Sequence, residues 1–409
     1  MVKKNFGRQQ GVRFGFWWLI LWLFSACASK PSQPEATPTP TPQIAPVVAA
    51  TPQIRTQEWA VNFGIAPAVE SKQNIAFNAQ GLTIGHEAPA AEMVSEKHAV
   101  TLDDAQPFLA LSAEWSAVIS KDAKLTVSVR ASGNGSEWDE WQLSSLDGDP
   151  RTHTGLFFFP LTSRFVQYRI EMARDGRGIA PVLKSIQFRF ISPGATPLEE
   201  SARLHTAQQL TRAQWHCPET GFHSKQQSAA IHHLIVHHTA TANDAQDWPA
   251  VVRTIWNFHA VTNGWRDVGY HYLIDPNGVI YEGRGGGDRA AGIHFSCANT
   301  GTLGIAMLGN YLTAKPPKAA LQSLEQLLAT KCQQFGLDPL GESFHVSTRL
   351  RLPHIAGHLD ANASSSGSVC AGTYCPGETL HALLPQIRAQ VRELMNTTHS
   401  AVVNGGKGY

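Results

Sequence analysis

Charge is scarce in this chain and almost balanced. Its 409 residues hold 33 Lys and Arg against 32 Asp and Glu, a formal net charge of +1, with 16% of residues charged. That balance supplies no basic field to hold nucleic acid, so no nucleic-acid partner is expected. Long apolar runs are missing too. The run Phe16–Phe24 is too short to cross a bilayer as a stable helix, and Leu156-Phe-Phe-Phe-Pro160 is short enough to be a buried strand. A hydrophobic share of 43% excludes a disordered chain. The length exceeds one ordinary core, so two folded domains plus non-globular segments are expected.

What the N-terminus does contain is an export signal. Lys3, Lys4, Arg8 and Arg13 precede the short apolar run, which closes on Leu23-Phe-Ser-Ala-Cys27. Small residues before a cysteine resemble a bacterial lipoprotein signal, with Cys27 acylated and anchoring the mature chain to a membrane. Ordinary secretory cleavage near Ala26 or Ala28 is the alternative. Either way the protein is exported, and lipidation would hold it at a bacterial cell envelope. Cysteine is sparse, at six residues. With Cys27 and Cys375 set aside, Cys217, Cys297, Cys332 and Cys370 allow two disulfides in three connectivities.

Composition then divides the chain. Residues 1–27 are the signal, and 28–53, rich in Pro and Thr, form a semi-stiff tether that cannot bury a core. Residues 54–193 alternate apolar and polar, as in Leu125–Arg130, Phe165–Ile170 and Ile186–Phe190. Turn signals such as Ser132-Gly-Asn-Gly135 separate these stretches. That pattern predicts an all-β sandwich, jelly-roll-like, as an accessory domain. Trp115, Trp138 and Trp141 are either its core or a stacking surface for sugars. Residues 194–212 are a linker, 213–395 an α/β domain, and 396–409 a flexible tail. Within the α/β domain, Leu234–His237 reads as a buried strand and Asp247–Val261 as a helix. Val268–Ile274 and Val279–Glu282 form a hairpin about Asp275-Pro-Asn-Gly278, and Lys318–Phe335 and Leu380–Met395 are amphipathic helices.

The chemistry lies in the α/β domain. His237 ends an apolar strand, His358 follows a glycine, and Cys375 sits in Cys-Pro-Gly. Two imidazoles and a thiolate, with a fourth position left open, are the parts of a hydrolytic zinc site. His238, next along the strand, must point away from His237. Cys370 is the competing thiolate, less favoured because it lacks the Pro-Gly context.

From about Ala213 to Val391 the chain resembles the type 2 amidases, the group of N-acetylmuramoyl-L-alanine amidases and peptidoglycan recognition proteins. The blocks run in order: Val-His237-His-Thr-Ala, Gly264-Trp-Arg-Asp-Val-Gly-Tyr270, Tyr281-Glu-Gly-Arg284-Gly, Ile293-His294, Leu303-Gly-Ile-Ala-Met-Leu-Gly-Asn-Tyr311, Ala356-Gly-His358 and Thr373-Tyr-Cys375-Pro-Gly. The resemblance implies a central mixed β-sheet flanked by helices, with Zn2+ held by His237, His358 and Cys375. It implies catalytic roles for Tyr270 and Thr373. Arg284 and His294 would either contact the muramyl peptide of peptidoglycan or support a loop. The implied activity is hydrolysis of the amide between N-acetylmuramic acid and L-alanine. Recognition of peptidoglycan without hydrolysis is the alternative. The family's Gly-His-Arg-Asp block appears as Gly357-His-Leu-Asp360, which puts support of the second histidine in question.

Overall fold

Period-two alternation becomes strands from Arg55 onward. The computed structural model describes residues 51–143, 153–197, 208–218, 230–296, 298–363 and 372–405. The export signal, Cys27, nearly all of the tether, Cys297 and Cys370 lie outside the described residues. Those described belong to one compact unit, Ala49–Tyr409. Among them no helix is long and apolar enough to cross a membrane.

The first half builds two antiparallel sheets. In one, the strand Val182–Ser192 lies between Phe108–Val118 on one side and Arg55–Asn62 and Gly81–Ile84 on the other. In the second, Phe165–Ala173 pairs with Ala90–Ser95 and Lys124–Ser132. Alternation directs Ile186, Phe188 and Phe190 into a core shared with Met93, Val129 and Tyr168 of the second sheet. The Tyr168 ring sits 5.3 Å from that of Phe188. Each such aromatic or aliphatic side chain gains about 1.5–3 kcal/mol on full burial. Trp115 is part of this core. Trp138 and Trp141 are half-buried with the Arg130 guanidinium 4.9 Å and 4.5 Å from their ring centroids, so Arg130 already packs on both indoles.

The second half forms a six-stranded mixed sheet. Its order is Gln209–Leu210, Ile280–Glu282, Tyr272–Ile274, Thr302–Met307, His233–His238 and Ile355–Gly357. The last four strands run parallel to their neighbours, and only the Asp275-Pro-Asn-Gly hairpin reverses direction. Gln209–Leu210 already pairs with Ile280–Glu282, so this domain begins before residue 213. Helix α1, Trp248–Asn257, starts where the Asp247 carboxylate accepts the Ala250 N–H, and ends in a π-turn over Phe258–Thr262. Helix α2 spans Lys318–Phe335, as its periodicity predicts, and stops at Gly336. Helix α3 runs Glu378–Gly405, so residues 396–405 continue a helix rather than starting a loose tail; neither Pro nor Gly interrupts them before Gly405. Cys332 is a free thiol buried on α2, its pKa pushed up to about 12 by desolvation.

The segment expected to be a linker is pinned at its start. Arg253 of α1 is fully buried and donates to the carbonyls of Pro193, Gly194 and Trp215 at 3.1, 2.7 and 3.2 Å. Thr196 donates from both N–H and hydroxyl to the Asp247 cap, each at 2.7 Å. Leu109, Ala110 and Phe158 of the β-sheets share an apolar cluster with Trp248, Val251 and Ile255 of α1. A buried guanidinium so fully bonded is costly to disturb, so the sheets and the α/β domain hold a fixed relation.

Candidate metal centre

Parallel register brings the two histidines together. His237 lies near the C-terminal end of His233–His238, and His358 directly follows the neighbouring strand, which pairs Val236 with Gly357. The carboxyl ends of parallel strands are where α/β sheets build sites. The Cys375 loop reaches the same point because Leu359 N–H donates to Cys375 O at 2.7 Å. Gly377 then passes Tyr311 so closely that a Cβ would lie 2.3 Å from its carbonyl carbon. Ligand atoms of His237, His358 and Cys375 all fall within 4.8 Å of one another. Cys375 Sγ and His237 Nδ1 are 3.4 Å apart. A sulfur and a nitrogen sharing a tetrahedral zinc are separated by roughly 3.5 Å, so the spacing fits that ion.

A directional hydrogen-bond chain sets the His237 tautomer. The carbonyl of Asn299 can only accept, so the Thr302 hydroxyl, 2.8 Å away, must donate to it. Thr302 Oγ1 then accepts from His294 Nε2 at 3.3 Å, which makes His294 Nδ1 an acceptor. That atom lies 3.0 Å from His237 Nε2, which therefore carries the proton and leaves the Nδ1 lone pair facing Cys375. Space for the His294 ring exists because residues 292 and 304 are glycines, where a Cβ would fall 2.5 and 2.4 Å from ring carbons. Desolvation holds both imidazoles well below the ordinary histidine pKa, reinforced at His237 by His358 and His294, and at His294 by His271 and His358. Neutral imidazole is the form that ligates metal.

Other expected residues fall in different places. Tyr270 precedes the strand that starts at Tyr272; its half-buried ring lies 5.2 Å from His237 and 5.6 Å from His259. Thr373 borders the same cleft, and its hydroxyl accepts the Cys375 N–H at 3.0 Å. His238 turns away as expected, accepting the Tyr311 N–H at 3.1 Å. The resemblance left Arg284 and His294 open between substrate contact and loop support. Arg284 is buried outside the cleft lining and donates to Val268 O at 3.0 Å, so it braces the loop that carries Tyr270. His294 is 5% exposed, borders the cleft, and places Nδ1 3.0 Å from His237 Nε2 in the glycine-lined niche.

Sequence reading missed the supports of the second histidine. Asp360 accepts Gly357 N–H at 2.9 Å and meets His381 Nε2 of α3 at 2.7 Å. Burial pushes the Asp360 carboxyl up, but these hydrogen bonds outweigh it and hold the group below its usual range. The turn is thus anchored without an arginine at position 359. Asn362 clamps Thr373 through both its N–H, at 3.0 Å, and its carbonyl, at 2.7 Å. No local pattern signals either pair, since each partner comes from a different segment.

The cluster opens into a cleft of about 710 Å³. Tyr270, His358, Thr373 and Cys375 line one side; Glu114, Gln187 and Arg189 of the first β-sheet line another.

Comparison with known proteins places the second half. The N-acetylmuramoyl-L-alanine amidase family (Amidase_2) matches residues 227–378. Peptidoglycan-recognition protein SD of Drosophila simulans is 31% identical over 179 residues, 43% of this chain and 84% of that protein. The human N-acetylmuramoyl-L-alanine amidase is 34% identical over 108 residues, 25% of this chain and 18% of that one. The crystal structure of the Drosophila recognition protein SD aligns with a TM-score of 0.33 at 31% identity, covering 44% of this chain and 93% of that one.

Proposed function

Because the chain belongs to the family of N-acetylmuramoyl-L-alanine amidases and peptidoglycan-recognition proteins, we propose that it is a zinc-dependent peptidoglycan hydrolase. The bond cut is the amide between N-acetylmuramic acid and the L-alanine of the stem peptide. The observation that carries this reading is the convergence of His237, His358 and Cys375 on one point at the wall of a cleft that also exposes Tyr270 and Thr373. Zinc bound there would supply a polarised carbonyl and an activated water. The protein's own groups do the rest. His294 and Thr302 keep the Nδ1 lone pair of His237 directed at the metal position. Tyr270 donates to the oxyanion as the carbonyl carbon becomes tetrahedral, and the Thr373 hydroxyl adds a second donor. The thiolate of Cys375 cancels one unit of metal charge, so these donors carry more of the stabilisation than at an all-imidazole site. The reading extends to location, with the N-terminal signal exporting the chain and Cys27 anchoring it at a bacterial envelope. The N-terminal sheets act as a sandwich-type accessory domain.

The test is mass spectrometry of soluble products after purified mature protein, zinc-loaded or chelated, meets peptidoglycan. Stem peptides with a free L-alanine amine, formed only with zinc, are expected. Retention on the wall with zinc bound and no products would assign the chain to recognition instead.

The hydrogen-bond chain makes its own prediction. Thr302→Val removes the hydroxyl acceptor for His294 Nε2–H but keeps the backbone hydrogen bond of residue 302 to His294, so the proton on Nε2 is held less firmly and His237 can reprotonate Nδ1. Zinc affinity should fall about 10–100-fold, the usual effect of losing an outer-shell partner. Chelator competition reads it directly. Unchanged affinity in Thr302→Val would remove His294 from this role.

A further inference from the structure

Glu114 and Gln187 stand directly opposite one another on adjacent antiparallel strands, on the face of the sheet turned away from its core. Both border the cleft that holds the His237, His358 and Cys375 cluster. Their chemistry is one-sided. The Gln187 amide donates to Glu58 at 3.4 Å, which leaves its carbonyl oxygen for the cleft. Arg189, on the same face of the cleft, is engaged by the Glu58 carboxylate and lies 3.5 Å from Thr262 through Nη1. Glu114 is exposed, and its carboxylate has no ion pair among the described residues. The wall therefore offers a carboxylate and an amide oxygen, two acceptors side by side. It is also preformed, because Arg253 and the apolar cluster around α1 fix the sheet against the α/β domain.

We propose that Glu114 and Gln187 form a substrate subsite for a primary ammonium group, carried by the side chain of a diamino acid in the stem peptide. This rests on the hydrolase reading, since the subsite shares the cleft of the metal cluster. An ammonium presents three donors and a positive charge to two acceptors, one of them anionic. A pyranose presents hydroxyls with no charge, so it gains less from a carboxylate.

Two muramyl tripeptides test the assignment, identical except that the side-chain amine of the third residue is free in one and acetylated in the other. The full-length zinc protein should show kcat/KM about fivefold higher for the free amine, the size expected of one exposed ion pair. Glu114→Gln should erase that preference, and Glu114→Lys should reverse it. Equal rates on both probes in the unmodified protein, or a preference that survives Glu114→Gln, would overturn the subsite. Dissociation constants for the same probes, by calorimetry, separate the two readings. Discrimination in binding without any cleavage would keep the subsite and reject hydrolysis; cleavage without discrimination would do the reverse. If Glu114→Gln weakens both probes equally, the wall binds the substrate elsewhere and the ammonium assignment falls.

Discussion

Cys375→Ala should reduce product formation to the level of the chelated protein and remove bound zinc. On the proposed reading the thiolate is one of three protein ligands, and the remaining two imidazoles hold an ion far less tightly than a full catalytic set. The structural cost of the change is small. Cys375 Sγ makes long contacts to His238 N–H and His237 Nδ1, each at 3.4 Å, and to His238 O at 3.7 Å, while its loop is held by Leu359, Thr373 and Tyr311. Melting temperature of the metal-free protein should therefore barely change, while zinc content measured by atomic absorption drops to background. Retained zinc and retained turnover would show that another residue completes the site.

Tyr270→Phe should leave zinc content intact and lower kcat by about a hundredfold or more, corresponding to loss of one oxyanion donor, roughly 2.7–4 kcal/mol. The phenyl ring keeps the packing against His237 and His259, so the missing hydroxyl is the variable. An oxyanion donor acts only as charge develops, so KM should change much less than kcat. Near-normal turnover would refute the role. A parallel rise in KM with unchanged kcat would instead assign the hydroxyl to ground-state binding.

The two variants probe different layers of the site. On the proposed reading, Cys375 decides whether the metal is present, and Tyr270 decides how well the chain uses it. The hydrogen-bond chain through His294 lies between them, since it acts on ligand affinity through a proton position.

Local pattern made several elements legible. The 3.6-residue periodicity of Lys318–Phe335 matches α2 at both ends, because a buried apolar stripe and a following glycine define a helix within its own segment. The hairpin around Asp275-Pro-Asn-Gly was legible for the same reason, its turn chemistry being local. At the C-terminus the expected break after Met395 is absent, because a weakening apolar stripe does not stop a helix where no Pro or Gly follows before Gly405.

The sequence by itself singled out His237, His358 and Cys375, which the fold brings together, and determined the family and most elements of the α/β domain. Ordered motifs and periodicity are properties of the chain read in one dimension. Only the tertiary structure decided that Arg284 is a buried brace, that His294 serves His237, and that Asp360 is held by His381 from α3. It alone brought Glu114 and Gln187 of the N-terminal sheet to the cleft of the metal cluster. Each of these depends on a partner at least 16 residues away along the chain. Hydrogen bonds and burial act over a few ångströms in space, and spacing along the chain does not encode which distant segments will meet.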